Sequence, residues 1–110
     1  MAEDSMRVLV IGSGAREHAL VKSLLKDESV SAVKCAPGNA GIALDVEIAD
    51  VDVKDASAIV KLAQEFSADL VVVGPEIPLA HGAGDALAAA GIPCFGPTKA
   101  AAQLEASKSF

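Results

Sequence analysis

Val8-Leu9-Val10-Ile11-Gly12-Ser13-Gly14, followed by Ala15-Arg16-Glu17-His18, decides how the rest of the sequence is read. Four consecutive apolar residues match a strand covered on both faces. A glycine turn follows them, and residues 15–26 then have a helical pattern. The arrangement recurs along the chain. Apolar runs at residues 30–36, Leu70–Val73 and 92–95 each lead into a glycine turn. These turns are Pro37-Gly38-Asn39-Ala40-Gly41, Gly74-Pro75-Glu76 and Gly96-Pro97-Thr98. Strands separated by helical stretches give β-α-β units and a mostly parallel sheet. The expected fold class is α/β, a three-layer Rossmann-like domain. In such a sheet all four turns fall on the carboxyl edge, where open α/β sheets bind ligands.

The intervening segments complete this pattern. Leu20, Leu24 and Leu25 form one stripe of the first helix, with Val21 alongside. Leu44, Val46 and Ile48 alternate with Asp45 and Glu47, which predicts a half-exposed strand over residues 44–48 near an edge. Asp52 or Asp55 caps a helix reaching Phe66, with Ile59, Val60, Leu62, Ala63 and Phe66 inward. The even apolarity of Leu70–Val73 marks an interior strand. Residues 78–90 read as a helix weakened by Gly82 and Gly84 and stopped by Gly91. Pro93 puts the following strand at an edge, or stands at its start. Thr98 caps a last helix that reaches Phe110 without a stop signal. Residues 1–5 read as a flexible tail. Residues 6–110 read as one N-terminal domain of a longer protein.

The chain has 110 residues, enough for one core. Its apolar share is 52%, but aromatic residues make up only 3%, so Ala, Val, Leu and Ile must build that core. The net charge of −6 argues against nucleic acid or an anionic membrane as partner. No apolar targeting segment opens the sequence, and the cytoplasm is the default location. Cys35 and Cys94 do not form a disulfide framework or a metal motif and read as small buried apolar residues.

Gly12-Ser13-Gly14 invites a dinucleotide fingerprint. Glu17, however, stands where the third glycine belongs, and Lys34-Cys35-Ala36-Pro37 supplies no acid for a ribose hydroxyl. Arg16 is a cation at the positive end of a helix. It either answers a bound anion or snorkels into solvent. His18 reads first as a hydrogen-bonded structural histidine, with a general base as the alternative. Asn39 is either a turn residue with positive φ or a group that orients a ligand. Glu76, on a turn stiffened by Pro75, can accept hydrogen bonds from a sugar or an amine. No nucleophile–base pair, P-loop or metal cluster occurs, so no catalytic or metal-binding residue is expected in this segment.

Four stretches taken in order resemble the glycinamide ribonucleotide synthetase (phosphoribosylamine–glycine ligase) family. They are Gly12-Ser13-Gly14-Ala15-Arg16-Glu17-His18-Ala19-Leu20, Ala36-Pro37-Gly38-Asn39-Ala40-Gly41, Val73-Gly74-Pro75-Glu76-Ile77-Pro78-Leu79 and the run from Phe95 through Gly96-Pro97-Thr98-Lys99 to Glu105. The resemblance implies the front domain of an ATP-grasp ligase of purine biosynthesis. Such a ligase joins glycine to 5-phosphoribosylamine with ATP and Mg (or Mn). The nucleotide and metal lie mainly in later domains, so this segment alone is expected to be inactive. It also implies that Gly12, Gly14 and Arg16 face the phosphoribosyl end of the substrate. Pro37, Gly38 and Asn39 would wall the cleft, and Gly74, Pro75 and Glu76 would face the ribose or its amine. Ala15 departs from the glycine usual in the family. The other readings are the front domain of a different ATP-grasp ligase or carboxylase, and a non-enzymatic nucleotide-binding module.

Overall fold

The computed structural model describes residues 6–73 and 82–95. The elements run β1 (Met6–Gly12), α1 (Ala15–Leu25), β2 (Val30–Pro37), α2 (Ala40–Ala43), β3 (Glu47–Ile48), α3 (Ala56–Phe66), β4 (Leu70–Val73), α4 (Ala83–Ala89) and β5 (Cys94–Phe95). The strands form one sheet in the order β3-β2-β1-β4-β5. All four pairings are parallel.

β1 is the middle strand, and its side chains divide the core between two faces. Val8 and Val10 pack with Val21 and Leu24 of α1 and Ile42 of α2. Leu9 and Ile11 pack with Ile59 and Ala63 of α3 and Leu87 of α4. This two-sided cover explains why β1 is apolar throughout rather than alternating. Burying each of these aliphatic side chains contributes about 1.5–3 kcal/mol. The opposite end of β1 is lashed down by Arg7. Its backbone N–H donates to Asp69 Oδ2 (2.8 Å), and its Nε donates to the Phe66 carbonyl (2.8 Å). Its guanidinium lies 4.4 Å above the centre of the Phe66 ring.

The structure corrects several expectations. The strand read over 44–48 is reduced to Glu47–Ile48, and α2 precedes it. Asn39 is the cause, because its side chain caps a helical turn that carries the chain to Leu44. Leu44 is therefore 87% exposed and does not form part of a strand face. Leu25, at the end of α1, is 49% exposed, while Val21 is fully buried, so the buried stripe of α1 is centred on Val21 and Leu24. The helix read over 78–90 is described as Ala83–Ala89, and its earlier part lies outside the described residues. Residues 1–5 and the final helix also lie outside them. Among the described residues, no helix is long and apolar enough to cross a membrane.

Asp55, rather than Asp52, caps α3, and its side chain accepts from the Ala58 N–H at 3.1 Å. Asp55→Ala is expected to lower stability by about 1 kcal/mol. Urea unfolding would read this as a lower midpoint at unchanged slope. An unmoved midpoint would show that the cap contributes nothing.

Candidate functional site

β1 and β2 end side by side, with Gly12 in register with Pro37. The loops that follow are joined. The Gly38 N–H donates to the Gly12 carbonyl at 3.0 Å. Asn39 Nδ2 donates to the Ser13 carbonyl at 2.6 Å, while Asn39 Oδ1 accepts from the Ile42 N–H at 2.9 Å. One side chain thus bridges the two loops and starts α2. The positive φ falls on Gly38, at 70°. Asn39 itself is extended, with φ −151°. A Cβ on Gly38 would lie 2.5 Å from Ile48 Cγ2, so the loop passes directly against β3.

The first loop is closed from beneath by Glu17. Gly14 caps α1, and its N–H donates to Glu17 Oε1 at 2.9 Å. Glu17 is only 8% exposed. It fills the space under Gly12 so closely that a Cβ on Gly12 would collide with Glu17 Cγ. This refines the expectation for Gly14. Its amide is engaged by a resident carboxylate, and the exposed Arg16 stands two residues on in the sequence. Arg16 forms no ion pair among the described residues. Ala15 is the exposed first residue of α1. The buried Cys35 sits below the same loop, its Sγ 3.4 Å from the Gly12 carbonyl. Burial, and then the negative charge of Glu17, push its thiol up to about 11.

His18 is held by a partner on another element. Its Nε2 lies 2.7 Å from Asp45 Oδ2, and Lys22 Nζ lies 3.4 Å from the same oxygen. The hydrogen bond to His18, followed by the charge of Lys22, holds the Asp45 carboxyl below its usual range.

Six of the nine expected residues therefore share one rim: Gly12, Gly14, Arg16, Pro37, Gly38 and Asn39. Gly74, Pro75 and Glu76 lie outside the described residues. The strand leading to them is placed, since Val73 pairs with Ile11 on the side of β1 away from β2. The chain leaves β1 for β2 on one side and returns to β4 on the other. The end of β1 is thus a topological switch point, the usual ligand position in open α/β sheets. A separate hollow of about 520 Å³ beside α3, lined by Asp50, Asp52, Lys61 and Glu65 among others, shares no residue with this rim. Among the described residues, no three His, Cys, Asp or Glu side chains gather to hold a metal ion.

The family model described as phosphoribosylglycinamide synthetase, N domain, matches residues 6–105. The chain belongs to this family. Curated relatives named phosphoribosylamine–glycine ligase are 61% identical over 105 residues in Mycobacterium tuberculosis, 58% in Streptomyces coelicolor and 51% in Agrobacterium fabrum. Each match covers 96% of this chain and 25% of the relative, so the chain spans about a quarter of their length. Among solved structures, a short-chain dehydrogenase/reductase from Veillonella parvula aligns with TM-score 0.61 at 16% identity. That alignment covers 84% of this chain and 46% of the dehydrogenase. An L-threonine dehydrogenase from Clostridium difficile aligns with TM-score 0.60 at 14% identity, over 84% of this chain and 36% of that one. These likenesses establish the fold alone. In this chain, the loop of the dinucleotide pattern is closed by Glu17.

Asp45 and Lys22 went unnoticed in the sequence because their link to His18 depends on where α2 turns. The Glu17 contact was more accessible, since an acid three residues after a helix cap is a capping pattern.

Proposed function

We propose that the chain is the N-terminal domain of an ATP-dependent phosphoribosylamine–glycine ligase, and that its β1–β2 rim holds the phosphoribosyl end of the sugar amine. The observation that carries this reading is the joining of the Gly12–Ser13 and Gly38–Asn39 loops at the switch point, with Arg16 exposed beside them. Arg16 supplies the charge for a phosphate, and the Asn39 bridge fixes the wall against which the sugar lies. Glu76, three residues past β4 in the sequence, is assigned to the ribose or its amine. ATP with Mg or Mn binds outside this segment, and the protein works in the cytoplasm.

In the complete enzyme, ATP converts the carboxylate of glycine to an acyl phosphate. The sugar amine attacks its carbonyl, and phosphate leaves. Fixing the amine against that carbonyl can supply up to roughly 7–11 kcal/mol of the barrier reduction. This domain contributes one half of the clamp, so alone it binds weakly and turns over nothing.

The test is titration of the chain with glycinamide ribonucleotide, followed by amide chemical shifts. The expected result is movement of residues 12–16 and 38–39, with the α3 face around Lys61 unmoved. Shifts confined to α3, or none at millimolar ligand, would overturn the assignment.

A further inference from the structure

Two side chains outside the rim hold its second loop against its first helix. Asp45, in the turn after α2, meets His18 and Lys22 of α1. The His18 ring also lies against the start of α2: a Cβ on Gly41 would sit 3.3 Å from His18 Cε1 and 3.3 Å from Asn39 Oδ1. A glycine at position 41 thus leaves room for both the imidazole and the Asn39 amide beside the start of α2. Ile42, fully buried, anchors the same short helix in the core independently of this pair. Losing the His18–Asp45 contact would therefore leave α2 folded but loosen its seat against α1, on which the position of the Asn39 cap at the start of the same single turn depends.

We infer that His18 is a positioning residue: through Asp45 and Gly41 it seats Asn39 on the Ser13 carbonyl and so sets the sugar-phosphate wall of the site. It does not touch the reacting atoms. Lys22 acts on the same Asp45 oxygen at longer range and from a more exposed position, so its share is smaller. The inference rests on the substrate reading above, and the experiment separates the two.

In the full-length ligase, kinetics for phosphoribosylamine and for ATP would be measured for Asn39→Ala, His18→Ala, His18→Gln and the Asn39→Ala/His18→Ala double variant. His18→Ala is expected to raise the KM for phosphoribosylamine roughly tenfold, the signature of lost uniform binding. Its kcat should stay within about twofold, with the KM for ATP unchanged. His18→Gln, which keeps a donor for Asp45, should recover most of the loss. The double variant should be no worse than Asn39→Ala alone, because the two act in series. Additive losses in the double variant would overturn the inference. So would a normal KM in His18→Ala beside a raised one in Asn39→Ala. If Asn39→Ala itself leaves this KM unchanged, the substrate assignment fails and the positioning role fails with it. Should His18→Ala not fold, Asp45→Ala, which removes the acceptor instead, carries the same expectations.

Discussion

Replacing Gly12 by alanine is expected to destabilise the domain by about 3 kcal/mol or more and to abolish ligand-induced shifts at the rim. Two independent terms add here. Gly12 has φ +150°, a region that side chains rarely adopt, and forcing a non-glycine residue there costs of order 1–3 kcal/mol. The added methyl would also meet Glu17, whose Cδ lies only 2.7 Å from it. Overpacking of a buried site typically costs a further 1–3 kcal/mol. The Glu17 side chain cannot swing away freely, because it is buried and its carboxylate holds the Gly14 amide. Urea unfolding measures the loss. Glu17→Ala in the same background should restore part of it by removing the collision while leaving the backbone strain. A Gly12→Ala protein as stable as the parent would mean that the loop is not built as described.

The second large effect is alkaline. Below about pH 9, Cys35 keeps its proton in both the folded and unfolded chain and contributes nothing to pH dependence. Above the ordinary value of 9.0 the unfolded thiol ionises, while the folded one, pushed up to about 11, does not. The unfolded state then binds fewer protons, so stability falls as pH rises between these values and levels off beyond them. Two pKa units correspond to about 2.7 kcal/mol. Comparing urea unfolding of the parent and of Cys35→Ala from about pH 8 to pH 11 isolates this contribution. The parent should lose stability more steeply, and parallel curves would refute the argument. At about pH 8 roughly one Cys35 thiol in a thousand is ionised, so alkylation of the native protein should be slow there.

The elements built on uninterrupted local pattern were legible before any coordinates. The run Val8–Ile11 announced a strand buried on both faces, and Leu70–Val73 did the same; both are interior in the sheet. A cap at Asp52 or Asp55 and the turn at Gly12 were equally local, and the structure selects Asp55. The candidate rim was legible in part, because parallel strands bring consecutive turns to one edge whatever lies between them. Of the strand expected over residues 44–48, only Glu47–Ile48 forms, for a physical reason. Alternation at Leu44, Val46 and Ile48 is a period-two signal, but the Asn39 side chain imposes a helical turn first, and short-range capping outweighed the pattern. The His18–Asp45 pair was illegible for a related reason. Its partners are 27 residues apart, and they meet only because that turn exists.

The Arg7 lashing has a consequence for how this domain can respond to a ligand. One pole of the sheet is pinned by a guanidinium that grips a carbonyl and covers an aromatic ring, next to a carboxylate on the same strand's amide. The other pole ends in glycines. A molecule that touches the upper loops meets them on a stationary heel, and the strands beneath act as a fixed ruler for whatever packs against them.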